Sequence, residues 1–188
     1  MTDGHHHRRS IRLHGYDYTQ AGAYFVTLCA HGRECLFGAV VDGEMRTNPF
    51  GQIVDDEWRL SVRLRAEIEL DAWVVMPNHV HGIVVIVPAG RGDRPVAPTN
   101  GPARGPQPRS LGAFIAGFKS AATKRINEWR QSPGSPVWQR NYYEHIIRND
   151  ESLNRIRQYI ADNPMHWETD RENPNAASSR PAREAILR

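Results

Sequence analysis

The first half of the chain alternates between apolar runs typical of strands and one stretch with helical spacing. The segment AYFVTLCAH, residues 23–31, is rich in β-branched and aromatic side chains and predicts a strand. The segment LFGAVVDGEMRTN follows, and its Asp42-Gly43 pair is typical of a hairpin turn. The next apolar residues recur at helical spacing and predict a first helix: Phe50, Ile53, Val54 and Trp58.

Two further apolar runs, IELDAWVVM and HVHGIVVIV, flank Pro77-Asn78, which is turn chemistry between antiparallel strands. His79 and His81 open the second run, whose other residues are mostly valine and isoleucine. An unpaired polar group taken out of water costs roughly 2 kcal/mol or more. Because of this cost, the pattern predicts a strand pair in which the two imidazoles have compensating partners.

The second half contains a composition break followed by two helical patterns. Residues 88–108 are rich in proline and glycine and predict a flexible loop inside the domain. With Ser110 as candidate N-cap, an amphipathic stripe predicts a second helix: Leu111, Phe114, Ile115, Phe118, Ala122, Ile126 and Trp129. The segment PVWQRNYYEHIIR predicts an extended stretch. NDESLNRIRQYIADNP predicts a last helix that ends at Asn163, because Pro164 disfavours helical geometry there.

The predicted order is strand, hairpin, helix, strand, strand, helix, short strand, helix. This order favours an α+β fold, with a ferredoxin-like antiparallel sheet and helices packed on it. We expect an arm at residues 1–12, one domain at 13–167 and a polar, frayed tail at 168–188. Trp73 and Trp129 are assigned to the core.

Composition narrows the class of protein. The 188 residues are 39% hydrophobic and 24% charged, and no apolar run approaches the roughly 20 residues that span a bilayer. A soluble protein with no membrane partner is therefore expected. Residues 1–15 have no apolar region of the kind found in secretory signals, which predicts a cytoplasmic location.

Positive charge is carried mostly by arginine, since only Lys119 and Lys124 of the 24 basic residues are lysines. The planar guanidinium suits bidentate phosphate contacts, although a bias toward GC-rich codons gives the same composition. Residues 101–160 contain ten basic and four acidic residues, a balance of +6, whereas residues 41–71 contain four basic and eight acidic. The basic second half favours a polyanionic partner.

His79 and His81 are two apart in a predicted strand, so their side chains share one face of the sheet. Two neutral imidazoles side by side can share one divalent cation. Two separately hydrogen-bonded core histidines are the alternative, and the spacing alone leaves both open. Nucleotide hydrolases of the histidine-triad type also alternate histidines on a strand, but here Ile83 stands where a third histidine is required.

The last predicted helix carries three polar side chains on one ridge. Tyr159 and Asn163 are four residues apart, and Arg155 lies one turn upstream. Tyrosine is a poor nucleophile at its free pKa of about 10, so it needs a nearby cation or base. A metal held by the histidines would supply this help and polarise a phosphoryl oxygen. Alternatively, Tyr159 is an amphipathic residue at the border between helix and sheet.

Two ordered motifs, AWVVMPNHVHGIVVI and VWQRNYYEHIIRNDESLNRIRQYIADNP, resemble the small single-tyrosine HUH transposases, in particular the REP-associated tyrosine transposases. The resemblance covers roughly residues 10–167 and includes the opening GAYFVTLCAHGRECLFG. It implies that His79 and His81 form the HUH motif on a central strand. It also implies that Tyr159, on the C-terminal helix, is the nucleophile and that Asn163 completes the metal site.

The activity implied by the resemblance is a metal-dependent transposase that cleaves and rejoins single-stranded DNA through a covalent 5′-phosphotyrosine. Expected partners are Mg²⁺ or Mn²⁺ and DNA with hairpin or palindromic, REP-like elements, bound by a monomer or homodimer. A non-catalytic nucleic-acid-binding relative and a metal-dependent nucleotide phosphoesterase are the alternatives. DNA contacts are expected from six basic residues: Arg8, Arg9, Lys119, Arg140, Arg148 and Arg155.

Residues near the second motif extend the candidate site. Tyr142 and Tyr143 are adjacent, so in an extended segment at most one of them reaches the metal. Glu144 and His145 are candidates for supporting the metal ligands or joining them. The run His5-His6-His7 is either part of a DNA-contacting arm with the arginines that follow it or a solvated segment.

Overall fold

The computed structural model describes residues 16–88 and 105–176 of the chain. These two ranges contain six strands: β1 Gly22–Cys29, β2 Gly38–Val41, β3 Glu44–Thr47, β4 Ile68–Val75, β5 His79–Ile86 and β6 Tyr143–Ile147. They contain three α-helices: α1 Pro49–Arg63, α2 Leu111–Trp129 and α3 Asp150–Asp162. Two short 3-10 helices, His31–Arg33 and Asn163–Thr169, follow β1 and α3.

The main sheet has four antiparallel strands in the order β4-β5-β1-β6, and β2 and β3 form a separate hairpin. With α1 and α2 as the connections, the chain order β1-α1-β4-β5-α2-β6 is the ferredoxin-like arrangement. The predicted α+β class and antiparallel sheet with packed helices are therefore confirmed. β5 and β1 are the two interior strands, and β4 and β6 form the edges.

Each α-helix begins at a side chain that accepts hydrogen bonds from the first turn. The Asn48 side chain accepts from two backbone N–H groups of α1, and the Asn149 side chain accepts from the Ser152 N–H at 2.8 Å. The predicted cap Ser110 accepts from the Ala113 N–H at 3.1 Å. No helix in the described residues is long and apolar enough to span a bilayer.

The sheet separates two cores of unequal size. On one face α1 and α2 pack against the sheet, where Trp58 contacts Phe114 and Phe118 edge to face. Gly82 on β5 allows this approach, because a Cβ atom there would lie only 2.6 Å from the Trp58 ring. The opposite face is covered by α3 and has a smaller core: Phe25, Ile83, Ile147, Ile156 and Ile160.

The structure differs, fully or in part, from three predictions, which concern two tryptophans and the C-terminal tail. Trp129 is 60% exposed at the end of α2, where its ring contacts Phe50, so it is not a core residue. Trp73 is partly buried, and its indole N–H donates to Asp55 at 2.8 Å. The tail is predicted to fray, but Asp170 and Glu172 are buried. The remainder of the tail from residue 177, and loop residues 89–104, lie outside the described residues.

Candidate active site

His79 and His81 lie on β5 and point toward α3, and both side chains are fully buried. Alternate residues of a strand share one face, and the intervening Val80 belongs to the core beneath α1 and α2. The Nε2 atoms of the two histidines are 3.0 Å apart. The alternation of side chains along β5 therefore brings two ring nitrogens together on one face, while the residue between them packs in the core on the other.

Each histidine also has a hydrogen-bond partner at its other ring nitrogen. His79 Nδ1 lies 2.8 Å from Asn78 Oδ1, and His81 Nδ1 lies 2.9 Å from Thr27 Oγ1. Thr27 stands opposite His81 in the pairing of β1 with β5. Both imidazoles thus have separate partners, as one of the two alternatives requires, and their Nε2 atoms also converge, as a shared cation would require.

Asp170 adds a carboxylate to the histidine pair. One ligand atom from each of His79, His81 and Asp170 lies within 4.8 Å of the other two. Asp170 follows the 3-10 helix Asn163–Thr169, which turns the chain back toward β5. No pattern in the sequence points to this residue, because it lies in a polar segment without periodicity.

Asn163 lies beside the carboxylate and is almost completely buried. Its Nδ2 donates to Asp170 Oδ2 at 3.1 Å, while its Oδ1 has no hydrogen-bond partner within the described ranges. A buried amide oxygen without a partner is costly, and a cation would satisfy it. Two imidazole nitrogens, a carboxylate and an amide oxygen are a donor set that fits Mn²⁺ or Mg²⁺.

Tyr159 reaches the histidines from α3. Its hydroxyl lies 3.2 Å from His81 Nε2, and its ring packs edge to face against Phe25. Ile156 and Ile160 fix this side of α3 on the sheet. Tyr159 itself is only partly buried, so the phenol lies between the apolar core and the surface.

α3 is also held at the edge of the sheet by an ion pair. Arg157 donates through Nε to Asp71 Oδ1 of β4 at 2.8 Å and through Nη2 to the second carboxylate oxygen. These hydrogen bonds hold the pKa of the Asp71 carboxyl below its usual range. The pair therefore helps to set the position of the helix that carries Tyr159.

Strand β6 distributes the other candidates over both faces of the sheet. Tyr143 and His145 pair with Thr27 and Phe25 and lie on the face of the histidines. Burial, followed by the nearby charge of Arg148, lowers the pKa of His145. Glu144 pairs with Val26 and faces the α1 and α2 side, so it cannot support the metal ligands as predicted.

The predicted DNA-contacting residues have different surroundings. Lys119 donates to the carbonyls of Gln139 and Asn141 at 2.8 and 3.1 Å, and burial lowers its pKa to about 8. These hydrogen bonds hold the segment before β6 against α2. Arg155 forms an ion pair with Glu151 on α3 at 3.3 Å. Arg140 and Arg148 are exposed. Arg8 and Arg9 lie outside the described residues, as does the run His5-His6-His7.

Comparison with solved structures identifies the class of fold. The structure resembles a REP-associated tyrosine transposase bound to a REP hairpin, with a TM-score of 0.55 and 21% identity, over 82% of this chain and 73% of the other. It also resembles a crystal structure of a candidate transposase from Deinococcus radiodurans R1, with a TM-score of 0.44 and 17% identity, over 80% and 95% of the chains. The first likeness confirms the expected fold, which is that of a tyrosine transposase.

Sequence comparison places the chain with a bacterial relative. An uncharacterized protein of Haemophilus influenzae is 39% identical over 171 residues, which cover 89% of this chain and 93% of the relative. The chain belongs to the same family as that protein. No family model matches the chain.

Proposed function

We propose that this protein is a metal-dependent tyrosine transposase that cleaves and rejoins single-stranded DNA. The observation that carries the proposal is the convergence of a phenol on a buried histidine pair. Tyr159 Oη lies 3.2 Å from His81 Nε2, which lies 3.0 Å from His79 Nε2. Nucleophile and cation-binding groups thus meet at one point, as phosphoryl transfer by a tyrosine requires.

His79, His81, Asp170 and Asn163 would hold the divalent cation. Two nitrogen donors favour manganese over magnesium, whereas the carboxylate and amide oxygens accept either. When bound, the cation would polarise a non-bridging phosphate oxygen as a Lewis acid. Asp170 is an addition to the ligand set that the sequence resemblance implied.

Tyr159 supplies the nucleophile in this proposal. Its phenolic oxygen attacks the scissile phosphorus, and the bond from phosphorus to the 3′-oxygen breaks. The phenol loses its proton and the departing oxygen takes one up, which leaves a free 3′-hydroxyl and a 5′-phosphotyrosine. One phosphodiester is exchanged for another, so rejoining by a 3′-hydroxyl needs no external energy source.

DNA with hairpin or palindromic elements is the proposed partner. The fold neighbour with a TM-score of 0.55 is a transposase bound to a REP hairpin. In this chain, the excess of basic residues between positions 101 and 160 supports a polyanionic partner. Arg140, Arg148 and Arg155 are proposed to contact phosphates, in a protein that acts as a monomer or homodimer.

The decisive experiment is a search for the covalent adduct. End-labelled single strands that carry palindromes from the flanks of the encoding locus are incubated with the protein, with and without Mn²⁺, and resolved on a denaturing gel. We expect a metal-dependent protein–DNA adduct together with a shortened strand. Tight binding without an adduct on any palindromic strand would instead favour the non-catalytic nucleic-acid-binding protein.

A second experiment, with small nucleotides as substrate, tests the phosphoesterase alternative. A metal-dependent nucleotide phosphoesterase would release phosphate or nucleoside monophosphate from small nucleotides at the same site. The described site has Ile83, a core residue, where a third histidine would be required for the histidine-triad chemistry. We therefore expect no nucleotide hydrolysis under conditions that give the DNA adduct.

A further inference from the structure

We infer that a basic groove between α2 and residues 134–140 binds the phosphate backbone of single-stranded DNA beside the candidate active site. The groove has a volume of about 490 Å³ and is lined on one side by α2 and on the other by the segment that precedes β6. The choice of DNA as the partner rests on the proposed function, whereas the preference for a polyanion follows from the groove itself.

The lining of the groove carries positive charge without negative charge. Its charged members are Lys119, Lys124 and Arg140, and no lining residue from the described part of the chain is acidic. The other polar members have hydroxyl or amide groups, which can donate hydrogen bonds to phosphate oxygens: Ser120, Thr123, Asn127, Ser135 and Gln139. Such a surface favours a chain of phosphates over a neutral or cationic ligand.

Two of the three cations are accessible to a ligand. Arg140 is exposed and forms no ion pair within residues 16–88 and 105–176. Lys124 is exposed, and its ion pair with Glu128 has a long distance of 3.8 Å and is open to solvent. An exposed pair of this kind is weak, so a phosphate can replace the carboxylate at little cost.

Hydrogen bonds from α2 hold the opposite wall of the groove in place. Lys119 Nζ donates to the carbonyls of Gln139 and Asn141 at 2.8 and 3.1 Å. One to two turns further along the helix, Asn127 Nδ2 donates to the carbonyl of Ser135 at 2.9 Å. The groove is therefore formed before a ligand arrives, and binding orders little additional chain.

The groove lies at the end of the sheet that carries the histidine pair. The backbone N–H of Gln139 donates to the carbonyl of Cys29 at 2.9 Å, and Cys29 is the partner of His79 in the pairing of β1 with β5. Neighbouring strands are about 4.8 Å apart, so the wall of the groove lies two strand spacings, roughly 10 Å, from His79. DNA this close to the proposed cleavage point is the strand that is cut, which assigns the groove to the single strand and not to a hairpin stem.

A second groove has the opposite balance of charge. It has a volume of about 570 Å³ and is bounded by α1, β4 and α3, where three carboxylates accompany two arginines: Asp55, Asp56, Asp71, Arg59 and Arg157. Arg59 pairs with Asp55 at 2.8 Å, and Arg157 pairs with Asp71, so both cations are already neutralised. This larger groove does not favour a phosphate backbone, so charge and not size distinguishes the DNA-binding surface.

Charge neutralisation in the full-length protein tests the groove. The double variant Lys124→Gln, Arg140→Gln removes two lining cations, and Arg46→Gln, Arg63→Gln removes two cations outside the groove as the matched control. All four side chains are exposed, so the fold should persist. Fluorescence anisotropy with a labelled oligothymidylate, without metal and over a range of salt concentrations, gives the affinity and its salt dependence.

The expected loss follows from counterion release. Each phosphate contact with a single strand contributes about 0.7 to the slope of log K against log salt, so loss of two contacts should reduce the slope by about 1.4, or about 25-fold in affinity at 0.1 M salt. The control variant should stay within about 3-fold of wild type, because distant exposed charges are screened. A wild-type slope in the groove variant would overturn the inference, as would a wild-type protein that bound no oligothymidylate.

Three further probes separate the single strand from the stem: a hairpin with an unpaired arm, the arm alone, and a blunt hairpin. The groove variant should lose affinity for the first two and match wild type on the third. An equal loss on the blunt hairpin would place the stem in the groove and overturn the inference.

The binding measurement does not depend on catalysis. With saturating DNA, the groove variant should form the covalent adduct at the wild-type rate, because Tyr159 and the candidate metal ligands are unchanged. If the wild type bound the arm through the groove but formed no adduct, the proposed transposase activity would fail and the groove would stand. If the adduct formed and the groove variant matched wild type in affinity, the groove would fail and the activity would stand.

Discussion

The two faces of strand β5 differ in what they bury. Toward α1 and α2 the strand presents Val80, Gly82 and Val84 to an apolar core built around Trp58. Toward α3 it presents His79 and His81, whose ring nitrogens meet Asn78, Thr27, each other and Tyr159.

The difference separates the stabilising face of the strand from the face that carries the candidate site. The α1 and α2 face contains most of the buried apolar side chains, so it contributes most of the hydrophobic stabilisation. The α3 face has a small core, and its two histidines are hydrogen-bonded at Nδ1. We therefore expect substitutions on the α3 face to change activity more than stability, and substitutions on the other face to do the reverse.

The largest effect is expected from Tyr159→Phe on the α3 face. The substitution removes only the phenolic oxygen, so adduct formation and strand cleavage should fall together by a factor on the order of 10³ or more. DNA binding and the melting temperature should stay near wild type, because Ile156 and Ile160 still pack on the sheet. Denaturing gels and filter binding measure the two effects.

Tyr142→Phe and Tyr143→Phe are the matched controls for this substitution. Tyr142 packs beneath the Lys119 amino group on the α1 and α2 side, and Tyr143 lies on the site face beside Phe25. Both variants should retain at least part of the adduct. An adduct formed by Tyr159→Phe would place the nucleophile elsewhere and contradict the proposed mechanism.

Asp170→Asn should have the next largest effect. It keeps the size of the side chain but removes the charge expected to bind the cation, so Mn²⁺ affinity should fall by about 10- to 100-fold. Glu168 is an exposed carboxylate two residues away, and Glu168→Gln serves as the matched control. Equal Mn²⁺ affinities in the two variants, measured by calorimetry, would exclude Asp170 as a ligand.

Gly82→Ala tests the opposite face of β5. The new methyl group would lie about where Trp58 now packs, since a Cβ atom at this position comes within 2.6 Å of the indole ring, and overpacking of this kind costs about 1 to 3 kcal/mol. Urea denaturation should show this loss, while the folded fraction should bind Mn²⁺ with wild-type affinity. A large loss of affinity at unchanged stability would contradict the division between the two faces.

The smallest effect is expected from Asp71→Asn, which breaks the ion pair with Arg157. The pKa of Asp71 is lowered in the folded protein, so its stabilisation is present above the unfolded pKa of about 3.9 and is lost as the pH falls through the folded value. Because the pair is partly exposed, the melting temperature at pH 7 should fall by about 2 °C or less. Once the pH is below the lowered pKa of Asp71, the wild type and the variant should converge.

The sequence pattern predicts the parts of the site that lie on regular elements. Alternation places His79 and His81 on one face of a strand, helical spacing places Tyr159 on the last helix, and Ser110 is recognisable as a cap. These features depend on local periodicity and capping, which a single sequence reveals.

Features that depend on tertiary contacts do not follow from the pattern. Asp170 lies in a polar segment, and its burial depends on how the 3-10 helix folds back on β5. The side of the sheet faced by Glu144 depends on the register of β6 against β1, which an extended segment alone does not specify. Trp129 continues the apolar stripe of α2 but lies at the end of the helix, where it remains exposed.

The order of the site residues along the chain has a consequence for biosynthesis. Thr27, Asn78 and the two histidines are made early. Tyr159 and Asn163 lie on α3 and the 3-10 helix, and Asp170 directly follows them. Domains fold progressively as the chain leaves the ribosome. A nascent chain that has emerged only as far as β6 therefore carries the histidine pair without the proposed nucleophile, and the candidate site is assembled only after Asp170 has been released from the ribosomal tunnel.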